Sequence, residues 1–193
     1  MKIFYFDVET GGLDCKVNPL LTLSGIIEID GEVKETITLK IKPFKGDLLA
    51  DEALKINGLT MEEIKTFDEP LIAKKKLEDL FSKYVDKYKK NKTSEDKLIP
   101  AGYNVLFDIQ FLETFWKKCG DNYFGSFIDY HKLDIASIVL FLKMHKVLDF
   151  PGYKLATISQ ALGIIIKAHD ATSDIEATRE IAYKLIDKIK EIK

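Results

Sequence analysis

Apolar positions fall into runs whose period changes along the chain. Ile3, Phe4, Tyr5, Phe6 and Val8 crowd residues 2–8 into an aromatic, apolar stretch, which predicts a buried central strand. Residues 20–29 and 33–41 are two further apolar or alternating runs joined by Asp30-Gly31, a strong hairpin signal, so three antiparallel strands come first. Pro43 to Gly46 closes the third. Asp51 is placed to cap a short helix that Gly58 ends, and Thr60 with Glu63 three positions on marks the start of another. From 69 to 90, Leu71, Ile72, Leu77, Leu80, Phe81, Tyr84, Val85 and Tyr88 recur at helical spacing and predict one long amphipathic helix. A polar loop, 91–97, precedes a short strand at 98–103 that contains Pro100 and Gly102. Residues 104–116 continue as a helix, 127–133 as a strand, 135–145 and 154–162 as helices, the last closed by Gly163. From Ala171 onward Ile175, Thr178, Ile181, Ala182, Leu185, Ile186 and Ile189 share one stripe of a long final helix. Strands alternating with helices, without repeats or a linker, predict a single α/β domain over residues 1–193.

Composition narrows the class without deciding the function. A chain of 193 residues buries a core without disulfides or a structural metal. Its net charge of -2 argues against a strongly basic nucleic-acid coat, though a local positive rim is compatible with it. Cys15 and Cys119 lie far apart and belong to no cysteine or histidine cluster, so neither a zinc site nor a disulfide framework is expected. No basic region followed by an apolar core opens the chain, and the most hydrophobic stretch, 135–142, is too short to span a bilayer; no membrane association and a cytoplasmic location are expected. Arg179 is the sole arginine, which weakens any model built on bidentate arginine clamps for phosphate. The lysine runs at 74–76 and 87–92 read as the solvated face and exit of a helix.

The candidate chemistry begins at the end of the first strand. Asp7 and Glu9 are two residues apart and project to the same face, where two desolvated carboxylates repel unless a cation or a basic partner sits between them. An oxygen-rich site of that kind suits Mg²⁺ or Mn²⁺. Thr10-Gly11-Gly12 follows at once and permits a tight turn or close approach of a ligand, and Leu13 adds an apolar edge. The plain alternative is an ordinary strand end with solvated acids. Asp108 stands near the start of a mostly buried helix, where it gains from the helix dipole or meets a bound cation. His169 precedes the last helix and Asp174 lies about one turn inside it, so docking of that helix on the first strand would add Asp174 to the pair, with His169 above them. His131 and His145 lie in no comparable setting and are assigned no role.

Three ordered blocks resemble the DEDDh, or DnaQ-like, 3′-to-5′ exonuclease family: Phe6-Asp7-Val8-Glu9-Thr10-Gly11-Gly12-Leu13, then Gly102-Tyr103-Asn104-Val105-Leu106-Phe107-Asp108 with Phe111-Leu112, and His169 with Asp174 five residues later. The resemblance spans essentially the whole chain. Ile56-Asn57-Gly58-Leu59-Thr60 is similar to the family's Ile-His-Gly-Ile-Thr turn, with asparagine for histidine, and Asp170 stands where a basic or neutral residue is commoner.

That resemblance implies a ribonuclease H-like α/β fold, a mixed five-stranded sheet with its first three strands antiparallel, flanked by helices. It implies removal of nucleoside monophosphates from the 3′ end of single-stranded DNA or RNA by two Mg²⁺ (or Mn²⁺) ions. Asp7 would bridge both ions, Glu9 and Asp174 hold the one that makes hydroxide, Asp108 steady the other, and His169 accept the proton of the attacking water. Leu13, Phe107 and Phe111 are candidate walls for the terminal base, Thr10, Gly11 and Gly12 candidate main-chain contacts, and Asn104 of the second block joins them. A polymerase or repair partner would act in trans. The rival readings are a catalytically inactive nucleic-acid-binding or scaffold module of the same fold, and a ribonuclease H-like enzyme that cuts internally.

Overall fold

In the computed structural model of the protein, which describes residues 1–166 and 171–191, the aromatic run at the amino end is β1, Lys2–Thr10. It pairs antiparallel with β2, Leu20–Ile29, which turns through Asp30 and Gly31, both at positive φ, into antiparallel β3, Glu32–Lys40. The other edge of β1 takes a parallel partner, β4, Ile99–Gly102, and the two-residue β5, Leu133–Asp134, extends it, giving the order β3-β2-β1-β4-β5. This is the mixed five-stranded sheet that the resemblance implies.

Seven helices surround it among the described residues: α1, Asp51–Asn57; α2, Met61–Ile64; α3, Pro70–Ser82; α4, Val105–Lys118; α5, Ile135–Met144; α6, Leu155–Ala161; and α7, Ala171–Glu191. Alternation along β1 sorts them between two faces. Phe4, Phe6 and Val8 face the main core, where Ala73, Leu77 and Phe81 of α3 and Ile109, Leu112 and Trp116 of α4 are buried. Ile3 and Tyr5 face the other way, onto Ile26, Ala101 and Ile175 of α7. Asp7 and Glu9 continue this second row, so α7 lies over the face that carries them.

Several expected boundaries shift. The predicted helix over 69–90 ends at Ser82, because Tyr84 and Val85 serve tertiary contacts: the Tyr84 hydroxyl donates to Glu35 of β3, its carbonyl accepts from Lys2, and Val85 is buried in the core. Asp51 is the first residue of α1 rather than its cap, whereas Thr60 and Glu63 form the predicted reciprocal cap of α2. The strand expected over 127–133 shrinks to β5. Its apolar residues Phe127 and Ile128 go into the core, and Ile128 makes a single bridge to Leu98. Lys75, Lys76 and Lys89 are exposed and pair with Asp79, Asp68 and Asp96, as a solvated face requires, whereas Lys74 and Lys87 are largely covered, both pairing with Glu78 and Lys74 also with Asp121. Among the described residues, no helix is long and apolar enough to cross a membrane.

Candidate active site

The parallel pairing of β1 with β4 runs only from Ile3–Ile99 to Tyr5–Ala101, and β4 ends at Gly102. Beyond that point the β1 edge lacks a strand partner, and the first turn of α4 fills the place. Asp108, 4% exposed, accepts the Val8 backbone N–H at 3.1 Å through Oδ1. One carboxylate from the helix on the main-core face is thereby fixed beside the two that β1 projects to the other face. Asn104 makes the turn from β4 into α4. It adopts left-handed backbone (φ 64°) and donates its N–H to Asp134 Oδ1 at 2.8 Å, while its side chain is exposed. Asp134 in turn caps α5 by accepting from Ala136 N–H.

Asp7 lies within electrostatic range of the other three acids. Burial pushes its carboxyl well above the usual carboxylate range, and Asp108, Glu9 and Asp174 each push it further in the same direction. Asp108 is raised to about 8, by burial first, against the lowering effect of the Val8 and Asp108 amides and with Glu9 and Asp134 adding to the rise. Asp174 arrives from the first turn of α7, whose apolar anchor Ile175 seats against Ile3 and Tyr5. The other three carboxylates act on Asp7 without forming a closed cage: among the described residues, no group of three or more Asp, Glu, His or Cys side chains is arranged as a ready-made metal site. The donor set itself, carboxylate oxygens gathered in a partly desolvated place where they raise the Asp7 carboxyl, fits a hard divalent cation.

Next to the acids, β1 leaves the sheet through a bulge between Glu9 and Thr10 and a stiff turn. Gly11 donates to the Pro19 carbonyl and accepts from Ala50 N–H, both at 2.8 Å. Thr10 Oγ1 donates to the Gly12 carbonyl at 2.6 Å, and the Thr10 carbonyl accepts Asn57 Nδ2 at 2.9 Å. A Cβ on Gly11 would lie 2.6 Å from Pro19 Cδ, and one on Gly12 2.5 Å from Asn18 Cγ, so both glycines answer to close approach. The turn and α1 border an open groove of about 600 Å³ lined by Thr10, Gly12, Leu13, Ala53, Ile56 and Asn57. Leu13 stands 87% exposed at its edge.

Of the sequence-derived candidates, Asp7, Glu9, Asp108 and Asp174 are brought within electrostatic reach, and Thr10, Gly11, Gly12 and Leu13 form the adjoining turn. Phe107 is half-buried on α4, its ring 4.9 Å from that of Phe111. Phe111 is 2% exposed and belongs to the main core, so it supports Phe107 from behind and offers no wall of its own. His169 lies outside the described residues. His131 binds Asp129 through Nδ1 at 2.6 Å, and His145 lies against the Phe141 ring. The α1 side of the groove, Ala50, Ala53 and Ile56, was not foreseen; its signal in the chain was the Ile56-Asn57-Gly58 turn.

Comparison with known proteins bears on the family and the fold. The RNase_T family model, described as Exonuclease, matches residues 4–182. The PolC-type DNA polymerase III of Listeria welshimeri is 27% identical over 188 residues, 97% of this chain but 11% of the polymerase. Ribonuclease T of Hahella chejuensis is 27% identical over 196 residues, 96% of this chain and 84% of that protein. Escherichia coli Exonuclease I, solved in complex with a 5cy-dA13 oligonucleotide, superposes with a TM-score of 0.79 at 17% identity, over 99% of this chain and 41% of that one. The fold is therefore ribonuclease H-like, and the chain spans only a small part of the polymerases that it matches.

Proposed function

Because the chain belongs to the RNase_T exonuclease family, we propose that it is a divalent-metal-dependent 3′-to-5′ exonuclease acting on single-stranded DNA or RNA and releasing nucleoside monophosphates. The observation that carries this reading is the gathering of Asp7 and Glu9 of β1 with Asp108 of α4 and Asp174 of α7, elements far apart in sequence. Like charges gathered in a desolvated place serve no structural purpose by themselves; they are compensated when a cation binds.

Asp7, Glu9, Asp108 and Asp174 would hold two Mg²⁺ or Mn²⁺ ions. When bound, these lower the pKa of a water and offset charge on the attacking and departing oxygens. The Val8 amide orients Asp108, and β1 fixes the spacing of Asp7 and Glu9. The Thr10 to Gly12 turn offers rigid main chain to the terminal sugar, and the adjoining groove takes the terminal base, with Leu13 at its edge and half-buried Phe107 as a further wall. His169, five residues before Asp174 in the chain, accepts the proton of the attacking water. A positioned general base contributes about 10²- to 10⁴-fold.

The inactive-scaffold reading has no use for these acids. The PolC-type relatives motivate a second part of the proposal, that a polymerase or repair protein works with this unit in trans. The test uses oligonucleotides of one sequence, as DNA and as RNA, labelled at the 5′ or the 3′ end. With Mg²⁺ or Mn²⁺, 3′ label is expected to leave as mononucleotide at once while 5′-labelled strands shorten stepwise. Chelator stops both, and a circular single strand stays intact. His169→Ala is expected to lose turnover while folding normally. Stable 3′ label in the presence of metal overturns the reading, and cleavage of the circle replaces it with an internal nuclease.

A further inference from the structure

Asp7, Ser24 and Thr38 form one row across β1, β2 and β3. Asp7 is the cross-strand partner of Ser24, and Ser24 of Thr38, so all three side chains leave the same face of the sheet, the face covered by α7. Ser24 is 1% exposed. Its Oγ lies 3.3 Å from Thr38 Oγ1 and 3.2 Å from Thr172 Oγ1 in the first turn of α7, and the two threonine oxygens lie 3.3 Å apart. A hydroxyl both donates and accepts, so the triangle can be satisfied with each O–H donating to the next. The distances exceed the usual 2.7–2.8 Å of an O–H···O bond, so each contact is weak. What the triangle adds is direction.

A second anchor of this turn is apolar. Ile175 packs on Ile3, Tyr5 and Ile26, and such packing resists separation far more than it resists slide or rotation of the helix. Thr172 and Asp174 are two residues apart, about 200° around an α-helix. Thr172 therefore faces β2 and β3 while Asp174 leaves the opposite flank of the same turn, so the rotation of that turn sets where Asp174 stands relative to β1.

Resting on the reading of Asp7 and Asp174 as ion ligands, we propose that Ser24, Thr38 and Thr172 are positioning residues that fix the rotation of the first turn of α7 and thereby set Asp174 against Asp7. They touch neither substrate nor ion; they act through Asp174.

The experiment measures Mn²⁺ binding to the full chain by calorimetry, with kcat and KM on a single-stranded oligonucleotide and the urea midpoint alongside. Thr172→Val keeps the shape and removes the hydroxyl. It is expected to weaken Mn²⁺ binding and lower kcat by about tenfold, with KM for the oligonucleotide unchanged, and Thr172→Ser to restore both to within about twofold. If Thr172→Val lowers the urea midpoint, Thr38→Val, at an exposed strand position, repeats the measurement and is expected to move binding and kcat in the same direction. Asp174→Asn separates the two levels of the argument. If it abolishes binding and cleavage while the hydroxyl variants bind Mn²⁺ as wild type, the positioning role is wrong and the function stands. If it leaves binding and cleavage intact, Asp174 is no ligand and the positioning role falls with it.

Discussion

At Asp108, burial and the neighbouring carboxylates disfavour the charged form while the Val8 amide favours it, and the balance lifts the group from its ordinary 3.8 to about 8. The folded metal-free chain therefore retains a proton on this group that the unfolded chain releases above pH 4. Between the two values the native state binds more protons, so stability falls as pH rises from about 4 toward about 8 and levels off above it. A bound divalent cation removes the reason for the lifted pKa and is expected to stabilise the protein more at pH 8 than at pH 5. Asp108→Asn keeps an acceptor for the Val8 N–H and discards the buried charge. Its metal-free melting temperature at pH 8 is expected to equal or exceed that of the wild type, with a flatter pH profile, while cleavage falls by at least about 100-fold. Thermal melts across pH, with and without Mn²⁺, check the first statement, and single-turnover cleavage the second.

Among the elements, the turn after β1 is held on both sides. Gly11 bonds to Pro19 and Ala50, and a Cβ there would meet Pro19 Cδ at 2.6 Å and Leu49 Cδ2 at 2.7 Å. Gly11→Ala is expected to cost about 1–3 kcal/mol of stability by overpacking. It should also raise KM more than it lowers kcat, because the turn borders the groove while the acids sit on β1; urea titration and steady-state kinetics on one oligonucleotide measure both. The same region shows what local sequence reveals. The Asp30-Gly31 hairpin and the Thr60–Glu63 cap depend on neighbours within four residues, and the structure bears them out, whereas Gly11 and Gly12 mark a turn whose partners Pro19, Ala50 and Asn18 lie further along the chain. The predicted helix beyond Ser82 failed for the opposite reason. Tyr84 and Val85 keep helical spacing, but their partners are Glu35 and Lys2 and the buried core, contacts that no local period encodes. The strand at 127–133 failed likewise, since Phe127 and Ile128 answer to the core before they answer to the sheet.

For the molecule as a whole, the final helix is tied to the sheet along its length as well as at its first turn. Near its middle, Arg179 Nε donates to Glu28 Oε2 at 2.6 Å and Tyr183 to Glu28 Oε1 at 2.8 Å, with Glu28 only 2% exposed. Arg179→Ala leaves that carboxylate buried without its cation and is expected to destabilise the fold by about 3 kcal/mol while preserving cleavage at low temperature, as paired denaturation and activity measurements would show. Candidate ligands on separate elements could be recognised as residue types at a spacing, but their meeting is a property of topology. Asp7 and Glu9 share a face by strand period alone; Asp108 reaches them only because β4 stops at Gly102, and Asp174 only because α7 covers the Ile3 and Tyr5 face. The most direct measurement of the central claim is manganese anomalous diffraction from crystals grown with Mn²⁺. Anomalous density bounded by Asp7, Glu9, Asp108 and Asp174 is the predicted result. Saturating Mn²⁺ with density elsewhere on the molecule, and none among those four carboxylates, would contradict it.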